Sequence, residues 1–230
     1  ATLAQPWLRE ATCCLLQNVS ISKVHPREVA SMMWSLAKLQ PWRGQYKESL
    51  ALATFLQAQV MDILVRKNDR TIEASFKPQE LSNVTWAFAA LHDNLNRSPD
   101  CSRILARSCI ESLSEMGSQE LANISWAFAT LRCHESRWFN ALALTLKPAS
   151  FDEPRHAVNI LWSFARLELQ HYSLYQSLAN YVETSNLTAW TSQHLAVTVW
   201  SFATVEVLSP SVFSKIAKEV MLPGRLENFK

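Results

Sequence analysis

Apolar residues recur along this chain at helical spacing in five segments that share one pattern. They read PREVASMMWSLAKL (26–39), PQELSNVTWAFAAL (78–91), SQELANISWAFATL (118–131), PRHAVNILWSFARL (154–167) and SQHLAVTVWSFATV (192–205). Each turns on one tryptophan: Trp34, Trp86, Trp126, Trp162 and Trp200. Counting from that tryptophan at about 100° per residue, positions −5, −2, +2 and +5 fall on one face. In the second copy they are Leu81, Val84, Phe88 and Leu91, and in the third Leu121, Ile124, Phe128 and Leu131. This stripe predicts an amphipathic helix with a buried apolar side. Position +3 is always alanine (Ala37, Ala89, Ala129, Ala165, Ala203), and −4 is small in all copies but the one with Val158. Small residues there let a neighbouring helix approach closely, with the tryptophan lying over the seam as core packing rather than as a binding residue. Each copy opens on Pro, with its preset φ, or on Ser, a capping residue, so each reads as a helix start.

Successive differences between the tryptophans are 52, 40, 36 and 38 residues. That is the period of a helical repeat with one insertion, and a unit of this size buries its apolar face only by stacking on its neighbours. A second helix is predicted after each first one, at 45–66, 99–114, 136–146, 171–183 and 210–221, with 6–18 as the second helix of an incomplete leading unit. Turn-like stretches such as HDNLNRSPD and KPASFDEP separate them. The long first spacing places roughly a dozen extra residues between Gln40 and Lys77, with VRKNDR as an exposed tip. The predicted fold is therefore all-α: an α-solenoid of about five helix-turn-helix repeats of 36–40 residues with one longer insertion. A single solenoid is expected over 1–221, with repeats beginning near 22, 77, 117, 153 and 191, a partial unit at 5–20 and a tail at 222–230.

Opposite the apolar stripe lie positions −7, −3, +1 and +4, with −6 at the margin. Position −7 carries Arg27, Gln79, Gln119, Arg155 and Gln193, and −3 carries Ser31, Asn83, Asn123, Asn159 and Val197. Position +4 carries Lys38, Ala90, Thr130, Arg166 and Thr204, and −6 carries Glu28, Glu80, Glu120, His156 and His194. Stacking would align these into polar ladders. Gln and Asn amides donate and accept, so they can read the edges of unpaired bases. Arg and Lys can hold phosphates or stack on bases. The candidate RNA-binding set is Arg27, Ser31, Lys38, Gln79, Asn83, Gln119, Asn123, Thr130, Arg155, Asn159, Arg166 and Gln193. The same residues admit a structural reading. Asn at −3 can bond the backbone of the next repeat, −7 can satisfy groups near a helix end, and Glu at −6 suits the helix dipole. Val197 interrupts the ladder and marks the last repeat as a cap.

Composition adjusts the picture at three points. Only 3 glycines speak against β-hairpins and phosphate loops, and a formal charge of +2 is low for a protein gripping nucleic acid by electrostatics alone. Five cysteines without CxxC spacing read as free thiols, and no apolar run is long enough to span a bilayer, so no membrane insertion is expected. No metal site, cofactor, catalytic centre or small-molecule substrate is expected either. The six histidines show no ligand spacing, and His156 and His194 read as surface substitutions for Glu.

PQELSNVTWAFAAL and SQELANISWAFATL resemble the octotricopeptide-type repeat, with its L-x-N-x-x-W-A-x-A-x-L core, and repeats found in organellar proteins bearing RAP domains. The copies and their partner helices cover most of the chain. HESRWFNALA (134–143), with Trp138, is the nearest stretch to that family's second-helix motif. The resemblance implies paired-helix solenoids that bind single-stranded RNA in mitochondria or, alternatively, chloroplasts. It also implies places in ribonucleoproteins such as mitochondrial ribosomes, clamping fragmented ribosomal RNA among neighbouring proteins. A short, weakly charged array fits a subunit of such a complex. The competing expectation is a protein–protein scaffold without RNA contact, anchored by exposed Trp42, Trp190 and Phe229. An endoribonuclease ranks third.

Overall fold

All five tryptophan segments are helical in the computed structural model, which describes residues 25–39, 47–66, 75–91, 99–146 and 151–225. Among the described residues there are ten α-helices, two short 3₁₀ turns and no strand, as the periodicity predicts. The first helices are α1 (Pro26–Lys38), α3 (Pro78–Ala90), α5 (Ser118–Thr130), α7 (Pro154–Arg166) and α9 (Ser192–Thr204), each of 13 residues. The second helices are α2 (Lys47–Arg66), α4 (Pro99–Glu111), α6 (Ser136–Thr145), α8 (Tyr172–Thr184) and α10 (Pro210–Val220). At 20 residues α2 outruns the others, so part of the long first spacing is spent on extra helix. The expected helix at 6–18, the VRKNDR tip beyond Arg66, Cys13 and Cys14 lie outside the described residues.

Local chemistry sets the boundaries. Pro26, Pro78 and Pro154 occupy the first helical turn, where a missing N–H costs nothing. Ser118 and Ser192 stand inside their helices rather than at the cap, which falls to Gly117 and Thr191. Position −6 proves to be a capping position. Glu28, Glu80 and Glu120 accept the N–H of His25 (3.3 Å), Lys77 (2.9 Å) and Gly117 (3.1 Å). At the other end, Arg132, Glu168 and Glu206 take left-handed φ of 52°, 55° and 58°. The following N–H groups of Cys133, Leu169 and Val207 then reach back to the carbonyls of Phe128, Phe164 and Phe202 at 2.8, 2.9 and 3.1 Å. The same closure ends three helices without a glycine.

The chain divides into two compact units, 1–112 and 113–230. In the first, α1 packs on α3 and α2 on α4, with α1 against α2 and α3 against α4. In the second, first helices stack in the row α5–α7–α9 and second helices in the row α6–α8–α10, each first helix from α7 onward leaning on its own second helix. The core lies between the two rows. Leu121, Ile124, Phe128, Ile160, Phe164, Leu195 and Phe202 from the predicted stripe are buried there. They meet Trp138, Phe139, Leu142, Leu174, Tyr175 and Leu178 from the second helices. Trp138 is wholly buried, edge-on to Phe128, and its indole N–H donates to Ser125 Oγ at 3.3 Å. Four buried hydroxyls are satisfied within their own helices: Thr85, Ser125, Ser163 and Ser201 each donate to the carbonyl four residues earlier.

Between first helices the small positions close the seam. Ala30, Ala37, Ala122, Ala129, Val158 and Ala165 are all buried. The tryptophans behave differently from the core packing expected of them. Trp34 is 40% exposed, Trp200 is 43% exposed, and Trp86, Trp126 and Trp162 are half-buried. The seam is narrow because alanines form it, so a bulky ring beside it rides on the outer edge rather than entering.

Candidate nucleic-acid interface

The strip of first helix left uncovered is narrower than the sequence pattern alone implies, and differently centred. On the helical wheel the tryptophan stands at 0°, −7 at about 20°, +4 at about 40° and −3 at about 60°. Arg27, Gln79, Gln119, Arg155 and Gln193 at −7 are all exposed. Ser31 is exposed, and Asn83, Asn123 and Asn159 are half-buried. Position +1, expected on this face, is covered in four copies: Ala87, Ala127, Ser163 and Ser201 are buried. At about 100° it lies on the flank away from the −4 and +3 seam positions, which fall at about 320° and 300°, and cover on the two flanks leaves only the strip from the tryptophan to −3 open.

In the first unit the strip comprises Arg27, Ser31, Trp34 and Lys38 on α1 with Gln79, Asn83 and Trp86 on α3. Lys38 Nζ lies 4.7 Å from the Trp86 ring centroid and 5.4 Å from that of Trp34, a cation held between tryptophans of successive repeats. In the second unit Trp126 and Trp162 stack across the α5–α7 seam, centroids 6.4 Å apart and planes 27° from parallel. Gln119 and Asn123 flank them on α5, and Arg155, Asn159 and Arg166 on α7. Arg155 is held by Glu153 at 2.6 Å, while the Arg166 side chain is exposed. Thr130 belongs to the row by position, but its hydroxyl is buried and has no hydrogen-bond partner among the described residues. Gln193 is exposed on α9, beside the interruption at Val197.

The structural reading of the −3 asparagines required their amides to bond the next repeat. Among the described residues the Asn83 and Asn159 side chains make no such bond. Asn123 has an interaction of its own. The glutamates at −6, by contrast, are committed to capping. Sequence reasoning missed the tryptophans as members of this face. Their exposure depends on how closely the alanine seams shut, which one helix cannot reveal.

His156 is a second correction. Read as a surface residue, it is 4% exposed, its Nδ1 2.9 Å from Ser118 Oγ at the start of α5. Ser118 donates in turn to Asp152 Oδ2 at 3.0 Å. Burial, and then the charge of Arg155, push the imidazole below its ordinary pKa, against Glu153, Asp152 and Glu120. Serine stands between Asp and His here, so the trio ties two repeats together and does not form a nucleophilic relay, in which the imidazole would bridge. Trp190, expected as an exposed anchor, is 2% exposed. It packs near Tyr181 and His194, 6.1 and 6.3 Å between centroids. Trp42 and Phe229 lie outside the described residues.

Among the described residues no His, Cys, Asp and Glu side chains group as a metal site, and no helix is long and apolar enough to cross a membrane. Cys101, Cys109 and Cys133 are free thiols. No protein-family model matches the chain, and no curated protein matches it.

Proposed function

We propose that the uncovered first-helix strip of each unit binds single-stranded RNA, and that the chain serves as an RNA-binding repeat subunit of an organellar ribonucleoprotein. The observation that carries the reading is the coincidence of three kinds of group on the strip within each unit. Half-exposed tryptophan rings lie beside exposed Gln and Arg side chains and asparagines whose amides, at Asn83 and Asn159, are uncommitted. Unpaired bases have faces for the rings and edges for the amides, and phosphates suit Arg27, Lys38 and Arg166. A neutral peptide partner would have little use for the guanidinium groups. The mitochondrion as compartment, or alternatively the chloroplast, and a place in a mitochondrial ribosome, follow from the likeness to octotricopeptide-type repeats. A formal charge of +2 supports a subunit whose affinity is shared with neighbouring proteins.

Fluorescence anisotropy with a random-sequence single-stranded RNA of some twenty nucleotides tests this. Binding is expected at low salt and weakens as salt rises, with a shallow slope for so few cations. Arg27→Ala, Lys38→Ala and Arg166→Ala each weaken binding to all sequences. Asn83→Ala and Asn159→Ala change which sequences are preferred. Absence of any binding at low salt removes the reading. A protein-scaffold reading is favoured by one observation, the apolar residues Leu144 and Tyr172 standing exposed on second helices α6 and α8. Crosslinking in the native complex that captures only protein would select it.

A further inference from the structure

The repeat supplies its own measure of what should cover each surface, and among the described residues α9 and α10 lack that cover. On α5 the seam positions −4 and +3 are Ala122 and Ala129, both wholly buried beneath α7. On α7 they are Val158 and Ala165, buried beneath α9. On α9 they are Ala196 and Ala203, both exposed, with Trp200 exposed between them. The second-helix row repeats the contrast. Tyr175 and Ala179 of α8 are buried, whereas Phe213 and Ala217, 38 residues later on α10, are half-buried and exposed.

A second regularity states what the missing cover looks like. In both steps within the second unit an aromatic ring of a second helix meets, edge to face, the +2 phenylalanine of the following first helix. Phe139 of α6 meets Phe164 of α7 at 5.1 Å and 88°, and Tyr175 of α8 meets Phe202 of α9 at 5.5 Å and 73°. Phe213 is the next ring in that series. The segment after α10 also follows the row of loops: Arg225 donates to the carbonyls of Leu187 (2.6 Å) and Trp190 (3.0 Å) in the preceding inter-helix loop, and pairs with Glu219 at 2.6 Å. A terminal cap turns a polar side outward. This face turns out alanine, tryptophan and phenylalanine.

We propose that the face formed by Ala196, Trp200 and Ala203 of α9 with Phe213 and Ala217 of α10 is a stacking face, and that its occupant is another unit of this repeat. That unit is a helix pair of this repeat's pattern, bringing an aromatic residue at +2 of its first helix onto Phe213 and aliphatic residues at −5 and −2.

The test lengthens the full chain by one unit in register, inserting a duplicate of residues 185–222 after Leu222 so that the 38-residue spacing from Trp162 to Trp200 is kept. Hydrogen exchange over residues 192–204 and thermal unfolding are compared with the original chain. The added unit is expected to slow α9 exchange about tenfold or more and to raise Tm, because each interface adds to its neighbours. Ala203→Arg in the lengthened chain should abolish both gains while leaving the original chain's Tm nearly unchanged. An added unit that stays unfolded, or that folds without slowing α9, overturns the proposal. So does an original chain that sediments as a dimer and is made monomeric by Ala203→Arg, since a second copy would then be the occupant.

Discussion

His156 shows how much a single repeat position changes when a neighbour closes over it. Three other copies carry glutamate there, used for capping, and the fifth carries His194, whose Nδ1 accepts the Thr191 N–H at 3.3 Å. In the fourth copy the side chain turns from capping to the Ser118 hydroxyl, which lies 38 residues earlier in sequence. No count along one helix places that hydroxyl, so the sequence pattern puts His156 at the surface and the stack buries it. Burial depresses its pKa, and that of His194 as well, with Arg155 adding to both. As pH falls, the unfolded chain therefore takes up protons before the folded one does. Stability from these groups is full above about pH 6.5, the ordinary histidine value, and is lost as pH drops below it toward the folded values. Urea midpoints measured at pH 7.5 and 5.5 should fall for the original protein and fall less for His156→Gln. An unchanged fall in the variant would mean that the imidazole is not the responsible group.

At the scale of the helix, a boundary is legible in the sequence where it has a dedicated residue and illegible where it does not. The first helices begin where Pro or Ser announces them, because proline's φ and the adjacent caps fix the turn. Their ends rely on left-handed Arg132, Glu168 and Glu206, types that carry no such signal. The same division separates the tryptophans. All of them are equally apolar, but the repeat tryptophans stay partly exposed while Trp138, set between the two rows, is enclosed. Trp138 points there, with its N–H satisfied by Ser125, whereas Trp126 rests on the seam against Trp162. Trp138→Ala should cost about 3–5 kcal/mol, the range for emptying a large buried site. Trp126→Ala should cost distinctly less, since its ring is already partly in water. Chemical denaturation of both variants decides the point, and equal losses would return the repeat tryptophans to the core. On the candidate interface, the −7 row is readable because nothing in either layer reaches it. The burial of +1 is not, because a neighbour in the stack covers that flank and one helix does not show which flank a neighbour takes.

At the scale of the molecule, the five-copy pattern is enough to reveal the helical repeats, while the compact units at 1–112 and 113–230 leave no comparable mark in it. Within the second unit α7 packs on α5 on one side and α9 on the other, so a seam's energy depends on having both sides present. Equivalent residues in consecutive repeats therefore provide an internal control. Ala165 is 1% exposed in the seam between α7 and α9, and Ala203 at the same repeat position is exposed. Ala165→Leu forces extra carbons into a closed seam and should destabilise the unit by about 1–3 kcal/mol. Ala203→Leu meets open solvent and should stay within about 0.5 kcal/mol of the original. Both follow from urea unfolding monitored by far-ultraviolet circular dichroism. The identical chemistry at the two sites removes helix propensity as an explanation for any difference. Similar losses at both would show that Ala203 is packed in solution, and its exposure at the end of the row would then have to be reinterpreted as an occupied interface.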